Sequence, residues 1–183
     1  MKRTKLSAQT VALCGVMAAV ALAILMLAGV APTGWIGVTA LAGFPVALCV
    51  SASGYTSGIM CWLVAGLLAL LLVPGKQVGL LFLCLFGLYP VLKNRLERAH
   101  RRTARVVAKL VYFNLVFFDL YFLAYQLMFQ SVADSWSYGV PLLPALLVVT
   151  NIVFFVYDYA FSKVMALLQV RLVPELRRLF KGH

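Results

Sequence analysis

Two of the chain's five acidic residues fall inside long apolar stretches, and they are the first candidates for chemistry. Asp119 lies near the middle of a predicted spanning helix, where an ionised carboxylate costs roughly 2.5–3.5 kcal/mol. Such residues are often functional, so Asp119 predicts either a hydrogen bond between helices or a polar patch in a binding cavity. Asp158 lies closer to a helix end, and we expect it to pair with Lys163 or to cap backbone groups.

Residue spacing suggests a partner for Asp119. Tyr112, Asp119 and Gln126 are seven residues apart, so they share one face of a helix. Asn151 and Asp158 have the same spacing on the next predicted helix. If the two faces meet, Asp119 can hydrogen-bond Asn151, and the pair would be either a packing contact or part of a ligand site.

The rest of the chain offers little catalytic chemistry. Its two histidines, His100 and His183, lie in a basic loop and at the C-terminus. No His, Cys, Asp or Glu set has metal-ligand spacing, and there is no P-loop or G-x-S-x-G segment. The cysteines are isolated within apolar stretches, where buried packing is the default: Cys14, Cys49, Cys61 and Cys84. We therefore predict that the protein is not an enzyme and has no metal or cofactor.

The composition indicates the class of protein that positions these residues. Of 183 residues, 64% are hydrophobic and only 11% are charged. A soluble domain is about a quarter charged, so this chain cannot cover a water-facing surface. The length of the apolar runs and their Leu and Ala content favour helices over barrel strands. We predict an all-α, polytopic membrane protein.

The basic residues predict its orientation. The net charge is +11, and 15 of the 16 Lys and Arg residues fall within 2–5, 93–109 and 163–181. Cytoplasmic segments carry such an excess, so we place all three clusters in the cytoplasm. An even number of crossings then separates successive clusters, and both termini are cytoplasmic. This placement explains the charge without a nucleic-acid partner.

Six transmembrane helices in one domain satisfy that parity. We predict them at about 11–30, 36–52, 58–73, 77–92, 106–129 and 140–162. The third and fourth have apolar runs of about 22 Å, which is short of a ~30 Å hydrocarbon core, so a re-entrant pair is an alternative with the same parity. Pro45 is expected to kink the second helix.

Two basic segments follow from this arrangement. Residues 93–105 form a cytoplasmic loop, and residues 163–183 form a cytoplasmic tail with an amphipathic helix. The predicted apolar face of that helix consists of leucines at helical spacing: Leu168, Leu172, Leu176 and Leu179. Both segments fit contact with anionic lipid at the inner membrane surface, and docking of a partner is the alternative.

Small residues recur on the first helix. Gly15, Ala19 and Ala23 are spaced by four, and small residues at this spacing let membrane helices approach closely. Alanine is common in the chain, so the pattern gains weight only together with other features.

These features together resemble the substrate-binding S components of energy-coupling factor (ECF) transporters. Those proteins have six membrane helices and cytoplasmic termini. The segment Leu13–Leu22 is similar to the family's small-x-x-x-small segment, with glycine where the family usually has alanine. Phe44-Pro45-Val46, the glycines Gly54 and Gly58, and Leu85–Tyr89 before a basic loop add to the resemblance.

The resemblance implies a role in uptake of a vitamin-like small molecule across the bacterial plasma membrane. An S component binds its ligand from outside and docks on a transmembrane coupling subunit that two ATPase subunits drive. The docking face would hold Gly15, Ala19 and Ala23. The initial segment Met1-Lys2-Arg3 lacks the Met-x-His start of cobalt- and nickel-type members, which argues against metal uptake.

The implied ligand site lies in the first outer loop and in the outer halves of helices four to six. Here it would hold Thr33, Trp35, Asp119, Tyr121, Tyr125, Gln126, Trp136, Tyr138 and Asn151. The competing hypothesis is a non-transporting membrane scaffold of the cell envelope, because the membrane segments contain few strong polar ligands.

Overall fold

The fold is known from a computed structural model that describes residues 8–96, 102–128 and 136–180. Side chains at 102, 104, 121–128, 136–146 and 176–180 fall outside the description. In order, the helices are α1 Ala8–Val30, α2 Trp35–Leu41, α3 Gly43–Ser53, α4 Tyr55–Leu72, α5 Lys76–Leu81, a π-helical turn Phe82–Phe86, α6 Leu88–Leu96, α7 Arg102–Met128 and α8 Trp136–Phe180. No strand occurs in these ranges, which confirms the all-helical prediction for them.

Several helical segments are long and apolar enough to cross a membrane. Within the described residues there are five of them: Ala8–Val30, Trp35–Ser53, Tyr55–Leu72, Lys76–Leu96 and Leu147–Glu175. The predicted third and fourth helices are longer than their apolar runs. They reach 18 and 21 residues, or about 27 and 31 Å at 1.5 Å per residue. Their length therefore suits a crossing.

The second segment is interrupted at Ala42, between α2 and α3. The Ala42 N–H bonds to the Thr39 carbonyl at 3.2 Å, which closes a tight turn before α3 begins. Pro45 follows in the first turn of α3 and has no N–H to offer the carbonyl four residues earlier, that of Leu41. The interruption therefore falls where the proline removes a helical bond.

The fourth segment contains a π-helical turn at Phe82–Phe86. The Gly87 N–H bonds back to the Phe82 carbonyl at 2.7 Å, five residues earlier. The Trp62 indole N–H of α4 donates to the Leu83 carbonyl at 3.0 Å. A backbone group in the irregular turn thus gains a side-chain partner, as an apolar environment requires.

Helix α8 differs most from its predicted bounds. It runs without interruption for 45 residues, about 68 Å at 1.5 Å per residue, so no helix boundary occurs at 162. In its last part, the buried face also differs from the predicted leucine face. Met165 and Val173 are buried, while Leu172 is 42% exposed. Gln169 donates to the Ser51 hydroxyl at 3.3 Å, which joins this part to α3.

The chain groups into two compact units. Unit 1 comprises Met1–Arg98 with Met165–His183, and unit 2 comprises Ala99–Val164. In unit 1, α3 contacts α1, α4 and α6, and each residue from 45 to 50 is buried. A Cβ added at Gly58 would lie 2.1 Å from a Val50 methyl carbon. Glycine at that position therefore allows α3 and α4 to pack closely.

Candidate partner-binding and ligand-binding residues

Helix α1 has small residues on two faces, and only one face is buried. Ala18, Ala21 and Ala28 are at most 2% exposed within unit 1. Gly15, Ala19 and Ala23 are exposed on the other side. The helix is apolar throughout its 23 residues, so hydrophobicity does not distinguish the two faces. Contacts within the chain therefore use one small-residue face and leave the predicted docking face open.

The open face has room for a partner helix. A Cβ placed on Gly15 would meet no heavy atom within 4 Å. Val16 and Val20 flank the small residues and are 52% and 45% exposed. A shallow strip between larger side chains is the arrangement that lets a second membrane helix approach closely.

Three cysteines from three helices are buried in unit 1. Cys14, Cys49 and Cys61 belong to α1, α3 and α4, and the Cys14 thiol donates to the Ser57 carbonyl at 3.4 Å. Cys84 is partly buried. Within the ranges that the structure describes, no group of three or more His, Cys, Asp or Glu side chains is arranged to hold a metal ion. These thiols are small core side chains in this structure.

Helices α7 and α8 are joined by a reciprocal amide pair in unit 2. The Asn114 amide donates to the Asn151 oxygen at 3.1 Å, and the Asn151 amide donates back at 3.2 Å. The same two amides also donate to the carbonyls of Leu110 and Leu147, at 2.9 and 2.8 Å. The predicted bond between Asp119 and Asn151 is wrong, because Asn151 is fully engaged with Asn114 and its own helix.

A pair of aromatic rings continues this contact. The rings of Phe113 and Phe154 stack with centroids 4.4 Å apart. Both residues are buried, at 7% and 3% exposure. Phe117 adds a tilted contact to Phe113 at 6.3 Å. These rings fill the space between α7 and α8 with carbon, so this part of the interface is packed rather than hollow.

An ion pair extends the same interface. The Lys109 ammonium lies 2.7 Å from a carboxylate oxygen of Asp158, and the two side chains are only 12% and 15% exposed. The predicted pairing of Asp158 with Lys163 is wrong, because Lys163 instead lies over the Tyr159 ring, 5.6 Å from its centroid. Sequence reasoning had counted Lys109 among the loop charges. The sequence did hold one signal for this contact: Lys109 precedes Phe113 by four residues, which places both side chains on one face of a helix.

We define the α7–α8 seam by these three antiparallel pairs: Lys109–Asp158, Phe113–Phe154 and Asn114–Asn151. On α8 the members are three and four residues apart, and on α7 they are four residues and one residue apart, so each set lies on the side of its helix that faces the other. An amide pair and an ion pair in apolar surroundings are satisfied only when each finds its own partner. The seam therefore selects one register between the two helices.

Asp119 lies away from this seam. It is exposed, and it makes no hydrogen bond or ion pair with any residue whose side chain the structure describes. Its exposed neighbours on the helix are apolar, namely Leu115 at 66% and Phe118 at 50%. Asp119 is therefore a carboxylate in an exposed apolar stripe near the middle of α7.

Two of the other predicted ligand residues have described side chains. Thr33 is exposed, and Trp35 is half-buried at the start of α2, with its carbonyl accepting from the Thr39 hydroxyl at 2.7 Å. The remaining predictions fall on side chains outside the description: Tyr121, Tyr125, Gln126, Trp136 and Tyr138.

Cations at the end of α6 lie against tyrosine rings. The Arg95 guanidinium carbon is 4.2 Å from the centroid of Tyr55, the first residue of α4. Lys93 is 6% exposed, with its ammonium 5.6 Å from the Tyr89 ring centroid. Tyrosine and arginine together are typical of a membrane–water interface. These contacts agree with a membrane–water interface near the end of α6.

Comparison with known proteins adds no relative. No family model, no curated protein and no solved structure matches the chain.

Proposed function

We propose that the protein is a membrane-embedded substrate-binding subunit of the S-component type. It would bind a vitamin-like small molecule and dock on a transmembrane coupling subunit driven by two ATPase subunits. The proposal keeps both termini and the basic segments in the cytoplasm, where anionic lipid is their expected contact.

The observation that carries the proposal is the open small-residue face of α1. Gly15, Ala19 and Ala23 are exposed although the opposite face of the same helix is buried. Nothing in the packing of unit 1 requires small side chains on the open side. A surface that must admit another helix accounts for them.

The test is a substitution series at Gly15 in native membranes. Gly15→Leu should abolish co-purification of a coupling subunit with its two ATPases, because a leucine side chain keeps a partner helix at a distance. Gly15→Ala should retain it. Since a Cβ at Gly15 meets no heavy atom within 4 Å, the thermal unfolding temperature of the purified subunit should not fall in either variant.

Val16→Leu is the matched control for this series. It adds bulk at an adjacent exposed position that is already large, so co-purification should persist. Normal coupling in the Gly15→Leu variant would remove α1 as the docking face. Absence of any ATPase partner for the unaltered protein would remove the S-component proposal itself.

The proposed ligand site keeps Thr33, which lies between α1 and α2, and Trp35, the first residue of α2. The predicted contacts whose side chains fall outside the description also stay proposals: Tyr121, Tyr125, Gln126, Trp136 and Tyr138. Asn151 is already hydrogen-bonded to Asn114. Asp119 lies on a different face of α7 from Asn114. Native mass spectrometry of the purified protein should detect a bound small molecule, and Trp35→Ala should weaken its binding.

A membrane scaffold is the second candidate, and the α7–α8 seam favours it. The buried phenylalanine stack and the reciprocal amide pair fill the described part of this interface. A scaffold needs such stable helix pairs and no ligand. Purification without a small molecule and without ATPases, but with a constant envelope protein partner, would support the scaffold.

A further inference from the structure

The face of α7 that carries Asp119 presents a carboxylate that has no partner among the described side chains, within an apolar surface. We define the Asp119 face by four exposed residues at helical spacing: Val111, Leu115, Phe118 and Asp119. Its three apolar members are 52%, 66% and 50% exposed. Asp119 is the eighteenth residue of the 27-residue helix, so it lies well inside the membrane helix that we predict at 106–129.

The described part of unit 2 supplies no cation near Asp119. Lys109, the nearest described cation on α7, is about 15 Å away along the helix and is paired with Asp158. Lys163 is the basic residue described on α8 within this unit, and its ammonium lies over the Tyr159 ring. Within these residues the Asp119 carboxylate therefore has no counter-charge.

We propose that the Asp119 face docks a transmembrane helix of a different protein, which places a lysine or arginine against the Asp119 carboxylate. A cation at that position would form a charge-assisted hydrogen bond with Asp119, which is the group on this surface that costs most free energy when it is unpaired in an apolar environment. The apolar members of the face supply the surrounding helix contact.

A second copy of this chain is a poor occupant. A two-fold symmetric contact uses the same patch on both subunits, so it would bring two Asp119 carboxylates together at one depth. Like charges in an apolar layer repel strongly. The face therefore favours a heteromeric partner. Because it lies on α7 rather than on α1, this inference does not depend on the proposed function.

Photo-crosslinking in native membranes tests the inference directly. The photoreactive residue p-benzoylphenylalanine replaces Phe118 in the full chain and reports what covers the face. The expected adduct is a transmembrane segment that contains Lys or Arg. The same residue at Phe155, an exposed aromatic position on α8, is the matched control.

Charge variants then show whether Asp119 itself is responsible. Asp119→Asn should lower the adduct yield at Phe118 about tenfold and leave the yield at Phe155 unchanged. Asp119→Glu should retain most of the adduct. Exchanging the two charges, with Asp119→Lys here and Lys or Arg→Asp in the partner segment, should restore it.

Several outcomes would overturn the inference. They are adducts with lipid alone, with a second copy, with a small molecule, or with a segment that has no basic residue. An unchanged yield in Asp119→Asn would also overturn it. A lower unfolding temperature of purified Asp119→Asn would show that the carboxylate stabilises this chain alone, which contradicts a role in docking.

Discussion

The helices within unit 1 and the helices within unit 2 are packed through different kinds of side chain. In unit 1, α1 and α4 contact each other, and their buried positions are rich in alanine and cysteine, such as Ala21, Cys61 and Ala65 at 0% exposure. In unit 2, α7 and α8 meet through large and polar side chains that form discrete pairs. Shape dominates the first unit, and specific bonds dominate the second.

The difference shows which forces remain available in a membrane. Lipid tails are as apolar as leucine, so burying an apolar side chain between helices gains little over leaving it in lipid. Close packing of small residues gains van der Waals contact, while polar pairs gain bonds that lipid cannot offer. Small residues allow several registers, whereas pairs such as Lys109–Asp158 allow one.

The largest expected effect tests the ion pair of unit 2. Lys109→Leu should lower the free energy of unfolding by about 3 kcal/mol, because it removes the cation that pairs with the largely buried Asp158 carboxylate. Asp158→Leu should cost less, since the longer Lys109 side chain can extend toward water. Denaturant titration of the purified protein in detergent measures both.

The double variant Lys109→Leu/Asp158→Leu is the control for this prediction. It should recover most of the lost stability, because no buried charge remains without a partner. A double variant as unstable as Lys109→Leu would show that the pair supports something beyond its own two charges.

The next effect tests close packing in unit 1. Ala21→Leu should destabilise the protein by about 2 kcal/mol, because the added atoms have no space at a fully buried position. Ala19→Leu, two residues away on the open face, should leave the free energy of unfolding unchanged. Equal losses in the two variants would contradict the assignment of one buried and one open face on α1.

A smaller effect is expected at the amide pair. Asn114→Leu and Asn151→Leu should each cost about 1 kcal/mol, which is typical of hydrogen bonds between membrane helices. The double variant should lose less than the sum of the two, since both changes remove the same bonds. Strictly additive losses would mean that the two amides do not act together.

The smallest effect concerns a single polar contact in unit 1. Lys76→Met removes the ammonium that binds the Leu70 and Leu71 carbonyls at 2.6 and 3.3 Å. Because the contact is exposed, the loss should be about 0.5 kcal/mol. Faster amide hydrogen exchange confined to the end of α4 would confirm it, and a change in unit 2 would not be expected.

Local properties of the chain were enough to predict its class. The lengths of the apolar runs and the rarity of charge indicate membrane helices, because a helix in lipid satisfies its own backbone groups whatever its neighbours are. The open face of α1 also agrees with the spacing of Gly15, Ala19 and Ala23. Lys76 looked anomalous among the charges, and its contact with the end of α4 accounts for it.

Partner choice between helices could not be read from spacing. Asn114 and Asp119 are five residues apart, which places them about 140° apart around α7, so Asn151 can reach only one of them. The seven-residue spacing of Tyr112, Asp119 and Gln126 is as regular as the spacing of the α7 residues that pair with α8 in the structure. Which stripe turns inward depends on all contacts between α7 and α8 at once, including the phenylalanine stack.

The sequence by itself determined that this protein is helical, apolar and basic at three places along the chain, since each of these properties is carried by single residues and their immediate neighbours. Tertiary structure decided the rest, including the π-helical turn at Phe82–Phe86, where Trp62 binds the Leu83 carbonyl, and the pairing of Lys109 with Asp158. These features arise from contacts between distant segments. Their energies are set by geometry and by competition among partners, which residue order alone does not specify.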